Sequence, residues 1–143
     1  MVDVSDKTPT RRRAVAEGAV RMRPETLEAV REDRVEKGDV LTVARLGAVG
    51  GAKRTADLVP LCHPLPLDGI DVRISEDDEL PGLRIRVAVT TEARTGVEME
   101  ALCGVSAGLL AVYDMCKAMD RGMTIEGVRL LEKTGGRSGT WTR

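Results

Sequence analysis

The sequence predicts one α+β domain, an antiparallel sheet with helices on one face. Three observations carry this. Residues 70–75 and 83–90 alternate apolar and polar side chains with a period of two, and an acidic turn joins them. Residues 97–119 read as one long helix, with no charge between Glu100 and Asp114. Residues 124–132 supply a further strand.

The remaining elements follow in order. Residues 1–10 read as extended and polar. Residues 11–22 mix Val15 and Ala19 with Arg and Glu, a faint strand signal. Pro24 stands where proline opens a helix, so residues 25–30 form a short one. Gly38 and Asp39 supply a break and an N-cap. The next helix runs through Val40, Val43, Ala44 and Leu46, is loosened at Gly50-Gly51, and resumes over residues 52–58. Beyond the last strand, residues 134–143 read as a flexible glycine-rich tail. The order β-αα-β-β-α-β is a ferredoxin-like split βαβ pattern with its first helix broken in two. Residues 1–143 form a single domain.

Composition excludes several function classes. The chain has no Phe, one Tyr and one Trp, so its core is aliphatic. Such a core buries little area per residue and gains from subunit association. A helix that is apolar all round calls for cover on both sides. The sheet supplies one cover, and a second subunit is the expected other. The net charge of −1 gives no global positive field for nucleic acid, and aromatic stacking platforms are missing. Three widely spaced cysteines without a CxxC point to neither a disulfide framework nor a metal site. Residues 1–5 lack a signal-peptide pattern, and no apolar run reaches the length of a membrane span. A cytoplasmic protein with no membrane partner is expected.

Several residues could carry chemistry. Residues 58–66 hold Cys62 and the only histidine, His63, on a stretch stiffened by Pro60, Pro64 and Pro66. Stiff backbone with a titratable pair suits the presentation of a ligand. Asp114 and Lys117 stand three apart on one face of the long helix, at the edge of its apolar run. A desolvated Lys would be a useful acid or base, and an ordinary helix ion pair has the same spacing. Glu98 and Glu100 flank Met99 at the helix start, where anions suit the macrodipole. Glu100 and Asp114 lie about 21 Å apart on a continuous helix. They cannot share a small site within one subunit, which argues for a site between subunits. Lys37, Lys53 and Arg137 each stand near glycines, a combination that cradles phosphates. The spacing is not that of a P-loop.

Taken together, MVDVS at 1–5, KGDV at 37–40, AKRTADLVPLCHPL at 52–65, TGVEMEAL at 95–102, YDMCKAM at 113–119 and KTGGRSG at 133–139 resemble the molybdenum cofactor biosynthesis protein C family. These are the cyclic pyranopterin monophosphate synthases. The resemblance implies a ferredoxin-like homohexamer, a trimer of dimers with active sites at the dimer interface. It implies conversion of 3′,8-cyclo-7,8-dihydroguanosine 5′-triphosphate into cyclic pyranopterin monophosphate and pyrophosphate, a lyase reaction. No resident cofactor is implied, and magnesium would enter only with the triphosphate. By the resemblance, Asp114, Lys117 and Lys37 are catalytic. Leu61, Cys62, His63, Met99, Glu100 and Lys53 contact substrate, together with Glu98 and Arg137. Lys37 and Lys117 are expected to be the acid and base, with Asp114 orienting Lys117. Lys53 and His63 are expected to hold the triphosphate. The chain departs from the family pattern at Cys103, often Thr, at Thr134, usually Ser, and at Arg137, usually Lys. A nucleotide-binding module without chemistry and a purely structural oligomer are the other classes the residues allow.

Overall fold

The computed structural model describes residues 1–143. The chain runs through β1 (Thr10–Arg21), α1 (Pro24–Arg31), α2 (Val40–Lys53), α3 (Thr55–Leu58) and β2 (Gly69–Asp77). It continues through β3 (Gly82–Ala93), α4 (Glu98–Cys116), β4 (Thr124–Thr134) and β5 (Trp141–Thr142). The local signals act where expected. Pro24 opens α1, and the Asp39 side chain caps α2 by accepting a hydrogen bond from the Thr42 amide.

The five strands form one antiparallel sheet in the order β2-β3-β1-β4-β5. The first four give the ferredoxin-like arrangement. The faint strand of the sequence is its centre. Residues 14–20 of β1 are buried without interruption. A strand covered on both faces loses the alternation that would announce it. Ala14, Ala16 and Val20 enter the core beneath the helices.

On the outer face Glu17 is 5% exposed. Its carboxylate accepts from Arg129 at 2.7 Å and Arg86 at 3.1 Å, and Arg84 stands 3.8 Å away. Burial pushes the Glu17 pKa up, but the hydrogen bonds from Arg129 and Arg86 outweigh it and hold it below the usual value. Long arginine stems thus roof the middle of the outer face within a single chain. Against β4, the register of β1 shifts between Glu17 and Ala19. Gly127, at φ +63°, lies opposite that bulge.

Helix α4 lies over β1, β3 and β4, and α2 packs along its flank. Much of the cover expected from a second subunit therefore comes from α2. The two helices approach closely because glycine faces alanine. A Cβ on Gly51 would collide with the Ala107 side chain and stand 2.8 Å from the Cys103 carbonyl oxygen. Gly50-Gly51 therefore does not loosen α2, which runs on to Lys53. The break falls at Arg54, before the single turn of α3.

Two further expectations change. By length and composition α4 is apolar enough to cross a membrane, although no such run was expected. Its buried residues, among them Ala101, Val105, Leu109 and Val112, belong to the core between the helices and the sheet. The tail also differs from the flexible loop predicted. Gly135 and Gly136 take φ +94° and +74°, and the chain returns to pair Trp141 with Lys133 and Thr142 with Glu132.

Candidate functional site

The predicted residues gather at the two ends of α4. At its C-terminal end, the loop before α2 brings Lys37 against the last turn. The Lys37 Nζ donates to the Asp114 carboxylate at 2.8 Å and to the Asp114 carbonyl at 3.0 Å. The Lys117 Nζ donates to the other carboxylate oxygen at 2.6 Å. One carboxylate thus orients two ammonium groups, where the sequence assigned it only Lys117. Hydrogen bonds from Lys117 and then Lys37 hold the Asp114 carboxyl down to about 2. The expected desolvation does not dominate here, because the Asp114 side chain is 55% exposed. An exposed cluster of two cations and one anion, held at fixed spacing, can hand a proton on and take one back.

The loop after α3 and the turn into α4 build the other end. Leu61, Cys62, His63, Glu98 and Met99 line one cleft, which Lys7 of the N-terminal segment also enters. Glu100 lies beneath, 3% exposed. Its Oε1 is 3.9 Å from the Cys62 Sγ, and its Oε2 has no partner. Burial raises the Glu100 carboxyl above its usual value, and the Glu98 carboxylate adds to the rise. The Cys62 thiol is raised too, first by burial and then by Glu100, so it is a poor nucleophile.

Lys53 borders an adjoining cleft with Arg54, Pro64, Leu65 and Glu100. Arg137 stands apart from both ends in a third cleft, lined by no hydrophobic residue, with Asp6, Lys7, Thr8 and Arg12. Arg12 directs its guanidinium to the backbone carbonyls of Ala93 and Arg94. Lys7 lines both this cleft and the His63 cleft. Sequence reading missed Lys7 and Arg12, because isolated cations in a polar N-terminal stretch carry no spacing signal.

The structure thus brings Lys37, Asp114 and Lys117 together. It brings Leu61, Cys62, His63, Glu98, Met99 and Glu100 together. Within one chain it keeps the two groups apart, since α4 runs unbroken between them. The conjunction of a ferredoxin-like order with these two clusters is matched by known proteins. The sequence model of the MoaC family matches residues 1–136.

The chain belongs to the MoaC family.

It is 57% identical over 143 residues to a cyclic pyranopterin monophosphate synthase of Thermomicrobium roseum, covering all of this chain and 86% of that relative. It is 60% identical over 141 residues to a protein of the same name from a Methylobacterium species, covering 99% of this chain and 88% of that one. The MoaC match takes in every residue of both clusters, and it reaches the turn of the tail at Gly136.

Proposed function

We propose that this chain is a cyclic pyranopterin monophosphate synthase, the lyase for which its relatives are named. It converts 3′,8-cyclo-7,8-dihydroguanosine triphosphate into cyclic pyranopterin monophosphate and pyrophosphate, in the biosynthesis of the molybdenum cofactor. The observation that carries this reading is the meeting of Lys37 and Lys117 on the Asp114 carboxylate. Opening and rebuilding a purine needs proton transfers on nitrogen and oxygen, and paired lysines on one carboxylate serve as acid and base. Forming the cyclic phosphate needs positive charge where pyrophosphate departs. Lys53, His63 and Arg137 fit that need. Leu61, Cys62, Met99, Glu98 and Glu100 hold the ring.

The protein brings no cofactor of its own, and any magnesium enters with the triphosphate. The active enzyme is a homohexamer, a trimer of dimers with its sites between subunits. It works in the cytoplasm, where three free cysteines stay reduced.

A coupled assay tests the reading. Purified protein is given enzymatically generated substrate, and both products are followed. Wild type should release them in equal amount, and Lys117→Ala should be slower by about 10²-fold or more. Turnover of Lys117→Ala at the wild-type rate would falsify this assignment.

A further inference from the structure

We propose that Asp120 is a positioning residue for the reaction. Its buried carboxylate joins the two arms that carry Lys37 and Lys117, and so sets where both ammonium groups meet Asp114. This rests on the reading of function above, and it adds a residue that acts only through those two lysines.

Three observations carry it. First, the two oxygens of Asp120 serve two different arms. The side chain is 5% exposed, in the turn between α4 and β4. Its Oδ2 accepts from the Arg23 amide at 2.8 Å and from the Thr26 hydroxyl at 3.4 Å, both at the start of α1. Its Oδ1 accepts from the Gly122 amide at 3.0 Å, within its own turn, and stands 3.7 Å from the Arg23 Nε. Every partner is a donor, so only a side chain with two acceptor oxygens satisfies them all.

Second, both arms are stiff between Asp120 and the lysines. Lys117 lies three residues before Asp120. The Lys117 amide donates to the Tyr113 carbonyl, and the Met119 and Asp120 amides donate to the Cys116 carbonyl. The Tyr113 hydroxyl donates to the Arg121 carbonyl at 3.0 Å, and the Arg23 guanidinium donates to the Met119 carbonyl. On the other arm, α1 leads into the loop that bears Lys37. The Arg34 amide donates to the Ala29 carbonyl at 2.8 Å and the Gly38 amide to the Val35 carbonyl at 2.9 Å, while Val35 is buried. A shift at the head of α1 is therefore carried to Lys37 through packed, hydrogen-bonded elements.

Third, a local cap would serve α1 without burying a charge. Arg23 stands at its N-cap and supplies no side-chain cap. Ser, Thr or Asn there would satisfy the helix end at the surface. The chain instead brings a carboxylate from 97 positions away, and taking it out of water is costly. What the arrangement adds is the registration of α1 against the end of α4, where Lys37 meets Asp114.

Asp120→Asn tests the proposal. It keeps the shape and replaces one acceptor oxygen by a donor, so one arm is released in either orientation. In a carbon-detected NMR titration the Asp114 carboxyl should rise from about 2 toward the ordinary 3.8 as its lysine contacts loosen. Loss of the Asp120 charge alone would act in the opposite direction. On the cyclic dihydroguanosine triphosphate, kcat should fall about 10- to 100-fold with little change in KM. Glu17→Gln weakens the fold on the outer face of the sheet, and as the control it should leave both readouts at wild-type values. An Asp114 carboxyl still at about 2 in Asp120→Asn would overturn the positioning role, and so would an equal rise in the control. If Asp120→Asn does not fold, Thr26→Val decides. It removes one donor to Oδ2 without changing charge and should raise the Asp114 carboxyl by less, and no rise there overturns the role equally. A wild type inactive on the triphosphate would remove the reading of function, while the Asp114 titration would still decide the positioning.

Discussion

Gly50 and Gly51 are neighbours in α2, yet alanine should act on them with opposite sign. At Gly50 a Cβ meets nothing within 4 Å. Alanine there gains only helix propensity, about 0.5–1 kcal/mol. At Gly51 the same methyl runs into the Ala107 side chain and lies 2.8 Å from the Cys103 carbonyl. Neither obstacle is the far end of a flexible side chain. One is a Cβ and the other is backbone, so α2 must move away from α4. Overpacking of this kind costs about 1–3 kcal/mol, which offsets the propensity gain and generally exceeds it. The two variants should therefore differ by about 1–3 kcal/mol, with Gly50→Ala the more stable. At roughly 2–4 °C per kcal/mol for a chain of this size, their Tm values should lie about 2–12 °C apart. Calorimetry at one fixed protein concentration is the assay, because association makes Tm concentration-dependent. A Gly51→Ala protein melting at or above Gly50→Ala would refute the close-approach account of the α2–α4 interface.

Three further outcomes follow from the buried and paired acids. Glu17→Gln leaves three arginines without their shared anion. It should cost about 2–4 kcal/mol by urea unfolding at neutral pH, less than a fully buried pair because the arginines are partly exposed. The Glu17 pKa is depressed, so this stabilisation is present above the ordinary value of 4.5 and is lost as pH falls through the folded value. Glu100→Gln should act oppositely. The Glu100 pKa is raised, so the wild type is penalised increasingly as pH climbs from 4.5 through the folded value. The variant should melt higher than wild type at neutral pH, and the gap should close in acid below 4.5. The Asp114 carboxyl should titrate at about 2 by carbon-detected NMR, and Lys117→Ala should move it toward the ordinary 3.8. A wild-type midpoint at the ordinary value would contradict the two-lysine clamp.

What the sequence discloses and what it hides divide along physical lines. The β2–β3 hairpin is legible because one face of each strand is apolar, so alternation survives. β1 is hidden because both of its faces are covered, one by helices and one by the stems of Arg84, Arg86 and Arg129. Glu17 looks like one more charge on a polar strand until those arginines, brought in by β3 and β4, surround it. The tail misleads for another reason. Gly135 and Gly136 signal freedom in a sequence, but here their positive φ values make the turn that returns Trp141 to β4. At the site, spacing pairs Asp114 with Lys117 because both lie on one helix. Nothing local pairs Lys37 with Asp114, since that contact spans 77 positions. Lys37 was reachable through the KGDV motif, and Lys7 was not marked by any motif.

The placement of Asp114 separates function from stability. An anion in the last turn of a helix faces the negative end of the macrodipole, which is unfavourable. Asp is also a poor helix former in that position, and its side chain is half exposed, so its ion pairs return little. A chain selected only for a stable helix would place a lysine or arginine there. This chain instead keeps the acid and adds two cations to it. Lys117 comes from the residue that follows the helix, and Lys37 reaches in from the loop before α2. Lys37 also satisfies the Asp114 carbonyl, one of the four that a helix end leaves without partners. Glu100 breaks the opposite rule at the other end. Its charge suits the dipole, but burial leaves one oxygen without a partner. Each end of α4 thus carries an acid in a setting that costs stability, while the stretch between them carries no charge at all. Local rules are broken where a ligand repays the cost.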